Sequence, residues 1–297
     1  MSITDGDVQQ AAPRKARGRY AEVWHKLKRN RGAVVALFII FCLTLGAIFA
    51  DVLYDYKTVV IRQNIPNRLK GPTFQHPFGT DELGRDILAR VVHGARVSLA
   101  VGIVSVLIGA TFGIILGSLA GYYGGRLEEI IMRIADIFIA IPSILLAIVI
   151  MAAMGQSMVN LMLAIGICSI PQFIRVSRAS VMMTRNQEFI EAERAIGSNN
   201  VSIIANTILP NSLSPILVHA TLYMATAIIS VSALSFIGLG VPAPQPEWGS
   251  MLSSGRTFLR NYSHISLFPG LAIMLTILSF NMLGDGLRDA LDPKQKR

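Results

Sequence analysis

The stretch Ser98–Leu119, SLAVGIVSVLIGATFGIILGSL, decides how the rest of the chain is read. It holds no charged residue and no proline. A helix rises about 1.5 Å per residue, so about 20 apolar residues cross the ~30 Å hydrocarbon core of a bilayer. This stretch is long enough to do so. Five more apolar stretches lie outward from it, at Gly32–Ala50, Ile130–Ala153, Val159–Ile174, Ile216–Leu239 and Ser266–Leu283. The one at Val159–Ile174 is short and holds Pro171. The expected fold is an all-α, polytopic membrane bundle of six transmembrane helices.

Composition agrees. Of 297 residues, 52% are apolar and 15% are charged. A soluble domain carries about 25% charged residues, so this chain lacks the polar residues to coat a soluble globule. The first span is preceded by 31 residues and is longer than a signal-peptide core, so it is read as a retained anchor. Cys42 and Cys168 lie far apart in apolar runs and form no disulfide framework. The five histidines, His25, His76, His93, His219 and His264, show no metal-ligand spacing.

The net charge of +9 comes from 27 Lys and Arg against 18 Asp and Glu. Eight of the basic residues (Arg14, Lys15, Arg17, Arg19, Lys26, Lys28, Arg29 and Arg31) precede the first span. Six spans with both ends inside put eighteen basic residues on the cytoplasmic side and nine outside, seven of these in a long loop between Lys57 and Arg96. The positive-inside rule favours that arrangement, and it removes the nucleic-acid reading of the basic arm. The chain then divides into a basic arm (1–31), a first span (32–50), an external loop with an amphipathic segment at 86–97 (51–97), a five-helix core (98–287) and a cytoplasmic tail (288–297).

Within the spans, Gly109, Gly113, Gly117 and Gly121 repeat every fourth residue and share one helix face. Small residues let helix backbones approach where lipid gives no hydrophobic drive, so this face is expected to pack on another helix, in this chain or in a partner. Pro142 and Pro171 each remove a backbone hydrogen bond. They mark either simple kinks or interrupted helices that line a substrate path. Asp136 lies in an apolar span, one turn from Arg133, where an i,i+3 pair would lower its cost and a proton relay is the alternative; with Pro142, Pro171 and Trp248 it is a candidate for the translocation path. Trp248 follows the proline-rich Pro242–Pro246 loop and is read as an interfacial anchor, with a place in the vestibule as the alternative.

The cytoplasmic loop 175–211 has a distinct pattern. Gln187–Ile196 reads as a short helix, Gly197 as the residue that ends it, and Ser198, Asn199 and Asn200 as caps for a second helix over Val201–Leu209 that Pro210 stops. Two short helices around a tight glycine turn form a compact knob, suited to docking in another protein's groove or to resting on lipid.

Here the sequence resembles a family. Glu191, Ala192, Glu193, Gly197, Leu209 and Pro210 match the E-A-A-x3-G-x9-I-x-L-P loop of ABC importer permeases, with Glu193 at the second alanine and Thr207 at the isoleucine. The blocks Phe78–Asp86, Gly94–Leu99, Leu234–Gly240, Pro244–Gly249 and Gly284–Pro293 resemble the second permease subunit of the dipeptide/oligopeptide/nickel branch, and the likeness runs from Trp24 to the C-terminus. The resemblance implies a type I importer permease in the bacterial cytoplasmic membrane, with a second permease, two ATPase subunits and an external binding protein as partners. ATP and Mg would sit on the ATPases, and this chain would bind no cofactor and catalyse nothing. It has no G-x-x-x-x-G-K-[ST] phosphate loop of its own. Peptides are the expected cargo, with nickel or metal chelates as the alternative. A lone channel or secondary carrier would leave the knob without a task, and an intramembrane protease would need a catalytic constellation that the spans lack.

Overall fold

The computed structural model describes residues 19–291. Arg14, Lys15 and Arg17 of the basic arm, and Asp292, Pro293, Lys294, Lys296 and Arg297 of the tail, lie outside the described residues.

Amphipathic α1 (Arg19–Arg29) leads into α2 (Arg31–Ile48), the first span. Asn30 begins α2 by accepting from the Ala33 amide at 3.1 Å. A short α3 (Ala50–Leu53) and an irregular external segment follow. The second span, α4, runs unbroken from Ile87 to Tyr123, capped by Asp86, which accepts from the Ala89 amide at 2.8 Å. Its 37 residues extend about 55 Å, well beyond the hydrocarbon core. The amphipathic segment expected along the membrane surface is therefore the outer third of this span. No glycine–proline break separates it from Ser98, and Ile87, Ala89 and His93 are buried in the bundle.

The third span is broken. α5 (Gly125–Ala140) and α6 (Ser143–Met154) meet at 88°. Pro142 forbids helical geometry at the preceding residue, and Ile141 is accordingly extended at φ −92, ψ 127. Pro171 behaves differently and sits buried inside an uninterrupted α7 (Met158–Arg185). That fourth span runs eleven residues past the expected end at Ile174.

α8 (Glu188–Ala195) is the first knob helix. The second was expected to stop at Pro210, but it does not. α9 (Asn200–Ser202), a wide π-type turn (Ile203–Ile208) and α10 (Leu209–Phe236) form one rising rod. Pro210 lies in the first turn of α10, where a missing amide is tolerated. A short α11 (Trp248–Gly255) and the last span, α12 (His264–Leu291), complete the described residues. Counting the broken pair once, among the described residues six passes are made by helices apolar and long enough to cross a membrane.

α4 and α7 share the most extensive contact, and the glycine face explains it. A Cβ on Gly109 would collide with the Ser169 side chain, and one on Gly113 with Phe173. One on Gly117 would lie 2.6 Å from the Ile174 carbonyl, and one on Gly121 2.8 Å from the Arg178 carbonyl. The stripe is thus filled from within the chain. The main apolar core surrounds this seam, with Phe173, Met151, Leu161, Ile228 and Leu234 nearly inaccessible.

The outer loop is held by hydrogen-bond donors on the first turns of α4. The Arg90 guanidinium donates to the Val60 carbonyl at 3.2 Å, His93 Nε2 to Tyr54 at 2.9 Å, and Arg96 to Ala47 at 2.9 Å and Ile48 at 3.1 Å. These residues are spaced i, i+3, i+6, so one helix face holds two points of the loop and the end of α2. Asp81 accepts from the Leu83 and Arg85 amides and from Arg85 Nε at 2.7 Å. The carboxylate hydrogen bonds and the positive-φ glycines Gly79 and Gly84 fold residues 78–86 into a compact charged cap.

Candidate coupling site and translocation path

The knob is built on the ends of α4 and α7. Ile190, Ile203 and Ile208 are fully buried against Tyr122 and Val181. Each buried isoleucine contributes roughly 1.5–3 kcal/mol, enough to hold two short helices that would not persist alone. The Tyr122 hydroxyl donates to Asn200 Oδ1 at 2.7 Å, the Arg194 guanidinium lies 5.3 Å from the Tyr122 ring centre, and Arg185 donates to the Gly121 carbonyl at 2.8 Å. Thr184 and Ser212 hydroxyls meet at 2.9 Å and tie α7 to α10.

The turn between the knob helices follows from one glycine. Gly197 has φ +83, its amide donates to Arg194, and the Ser198 amide donates to Glu193 at 3.1 Å. That pair of bonds closes a helix with a left-handed residue, which glycine adopts without the Cβ penalty. Asn199 then caps α9 by accepting from the Val201 amide.

Glu191, Ala192, Gly197 and Pro210 are exposed on the knob, whereas Glu193 and Leu209 are half-buried. Thr207 donates to Glu193 Oε1 at 2.6 Å. Around the turn, Phe189, Ile196 and Val201 are 45%, 79% and 66% exposed. Apolar side chains on an otherwise polar loop mark a contact surface. A rigid, apolar-tipped knob can transmit force to or from a protein that grips it.

The broken span lies along the same helices. Asp136 pairs with Arg175 of α7 at 2.6 Å, not with Arg133, which reaches Glu129 at 3.9 Å. Asp136 and Arg133 share α5, and the acid turns toward α7. Glu128 pairs with Arg178 alongside. Arg175 and Arg178 carried no sequence signal beyond a basic count, and their role depends on α7 extending past the apolar run. Pro142 sits at the break, but Pro171 lies buried.

Trp248 is neither an interfacial anchor nor a wall of an open vestibule. It is 0% exposed, its indole donates to the Val91 carbonyl at 2.9 Å, and its ring covers Gly94. The preceding Glu247 is also fully buried and accepts from the Gly249 and Ser250 amides and from Ser98. It caps α11, and burial raises its carboxyl above the ordinary range. Among the described residues no His, Cys, Asp or Glu cluster has the makings of a metal site.

Residues 113–297 match the model of the binding-protein-dependent transport system inner membrane component, and residues 18–72 match the N-terminal TM domain of oligopeptide transport permease C. The chain is 50% identical over 277 residues to the dipeptide transport system permease protein DppC of Alkalihalophilus pseudofirmus, covering 93% of this chain and 90% of that one. It is 45% identical over 286 residues to the glutathione transport system permease protein GsiD of Escherichia coli O157:H7, covering 96% and 93%. A structure of the MetNI methionine ABC transporter in an inward-facing conformation superposes with a TM-score of 0.58 at 19% identity, over 69% of this chain and 98% of that one. At that identity the superposition speaks for the fold. The chain belongs to the binding-protein-dependent transport system inner membrane components, the multi-pass, non-catalytic permease subunits of ABC importers.

Proposed function

We propose that this chain is one of two permease subunits of an ATP-driven importer of dipeptides or oligopeptides in the bacterial cytoplasmic membrane. The observation that carries the reading is the knob at residues 187–210, rigid at its base and apolar at its tip. The names of the dipeptide and glutathione relatives support peptides as cargo.

In this reading both chain ends and the knob face the cytoplasm. The charge bias supports that, as does the packing of Ala33 of α2 and Leu27 of α1 on the Gly286 end of α12. Two partner ATPase subunits bind ATP and Mg, and each permease knob rides in one of them. A second, related permease completes the path beside the broken third span, and an external binding protein delivers cargo to the opposite face. Closure of the ATPases favours one packing of the helices, and release favours the other. The chain supplies positioning and force transfer, with no bond made or broken on it.

Proteoliposomes holding this chain with its cognate permease, ATPases and binding protein test the reading. ATP-dependent, binding-protein-dependent uptake of a labelled dipeptide is expected. Uptake of nickel or a metal chelate without peptide uptake, or peptide uptake by this chain alone, would contradict it.

A further inference from the structure

We propose that the Asp136–Arg175 pair is a peptide-binding subsite on the inner part of the translocation path, which takes the charged groups of the passing peptide. The proposal rests on the peptide-importer reading above.

The pair is close and well exposed at the same time. Asp136 Oδ1 and Arg175 Nη2 are 2.6 Å apart, yet their side chains are 51% and 49% exposed. Asp136 lies eleven residues from the start of α5, and Arg175 ten residues from the end of α7. Both are thus about 15 Å inward from the knob ends of their helices. Toward the Pro142 break, the same-face neighbours Ile139 and Ala140 are apolar and exposed, while Arg133, one turn toward the knob, reaches Glu129 at 3.9 Å. Charged side chains at such depth face the bundle interior or a water-filled cavity, not hydrocarbon. The neighbouring Glu128–Arg178 pair is more enclosed, at 22% and 29%, and suffices to clamp α5 on α7. The break at Pro142 lies six residues beyond Asp136. Helices interrupted in this way are tolerated where they line a cavity.

The chemistry fits a zwitterion. A peptide in a low-dielectric path needs a partner for its ammonium and another for its carboxylate. Asp136 accepts from an ammonium, and the Arg175 fork donates two bonds to a carboxylate. With no peptide present the two side chains neutralise each other, so the empty path carries no net charge there. A neutral pair of this kind favours neither acidic nor basic peptides. Removing one member leaves a signed path.

The test is uptake by the complete importer in proteoliposomes of three dipeptides with net charge +1, 0 and −1, each normalised to its occupancy of the binding protein. Asp136→Asn should lower uptake of the +1 peptide about tenfold relative to the −1 peptide, and Arg175→Gln should do the reverse, as expected for one unpaired charge at close range. The double variant Asp136→Asn with Arg175→Gln should lose the sign preference. Equal losses for all three peptides in both single variants, recovered by the swap Asp136→Arg with Arg175→Asp, would make the pair a structural clamp and overturn the proposal. Should a single variant fail to assemble, Ala140→Cys keeps the pair intact one turn away on the same face. A water-borne cationic thiol reagent should then react and selectively slow the +1 peptide, whereas an unreactive cysteine would also overturn the proposal. A wild-type importer that takes up none of the three peptides would refute the peptide reading itself.

Discussion

The Thr207 hydroxyl donates to the Glu193 carboxylate at 2.6 Å, joining the π-type turn of the rising rod to the end of α8. These are the two positions at which the loop departs from the permease pattern, and in the folded knob they are partners. An alanine and an isoleucine would meet through apolar contact, and this chain replaces that contact with a hydrogen bond to a charged acceptor. Such a bond is worth about 1.5–3 kcal/mol when well formed.

The two departures should therefore be coupled. Glu193→Ala or Thr207→Ile alone is expected to loosen the knob, and the double variant to cost less than the sum of the two, with an interaction energy of about 1 kcal/mol. Hydrogen exchange of the 188–208 amides in the purified importer measures this, and strictly additive effects would show that the bond carries nothing.

Gly197 tests the turn. Its positive φ costs an ordinary residue roughly 1–2 kcal/mol, and no atom lies within 4 Å of a Cβ there. Within this chain the effect of a side chain is thus conformational, while in the proposed assembly it would also push a docked partner away. Gly197→Val is expected to retain ATP hydrolysis while ATP-driven uptake falls at least about tenfold. Normal uptake per ATP hydrolysed would count against the docking role.

The α4–α7 seam predicts a graded response. Gly113→Val forces a branched side chain into Phe173, and overpacking of this kind costs about 1–3 kcal/mol or more. Gly46→Ala, with nothing within 4 Å, serves as a control. Thermal unfolding in detergent should show a clear loss for Gly113→Val and almost none for the control.

Glu247 predicts a pH dependence on the outer side. Its carboxyl is raised from the ordinary 4.5, first by burial and against the pull of its amide donors. The native state thus binds its proton more tightly than the unfolded chain. Its contribution to stability is fullest below 4.5 and is lost as pH rises through the elevated native value. The wild-type minus Glu247→Gln difference in melting temperature should shift against the wild type over that rise, and a difference that stays constant with pH would contradict this.

The spans and the knob were legible because their signals are local. Apolar runs register span by span, and Gly197 followed by Asn199 ends one helix and begins the next within three residues. What stayed hidden depended on distant partners. The Asp136 pair looked like an i,i+3 contact until α7 brought Arg175 beside it. Trp248 read as an interfacial aromatic, since its burial depends on the space above Gly94, some 150 residues earlier in the chain. The stop expected at Pro210 failed for a different reason, because the preceding π-type turn sets the proline in a first turn where its missing amide costs little.

The central claim is that residues 187–210 form a plug held by an ATPase on the cytoplasmic side, and Ile196→Cys tests it most directly. Ile196 is 79% exposed at the tip of the knob. In inverted membrane vesicles holding the assembled importer, this cysteine should react with an impermeant thiol reagent and cross-link to the ATPase subunit, with a yield that changes when ATP is added. Labelling only in right-side-out cells, or cross-linking to the binding protein in place of the ATPase, would contradict the account.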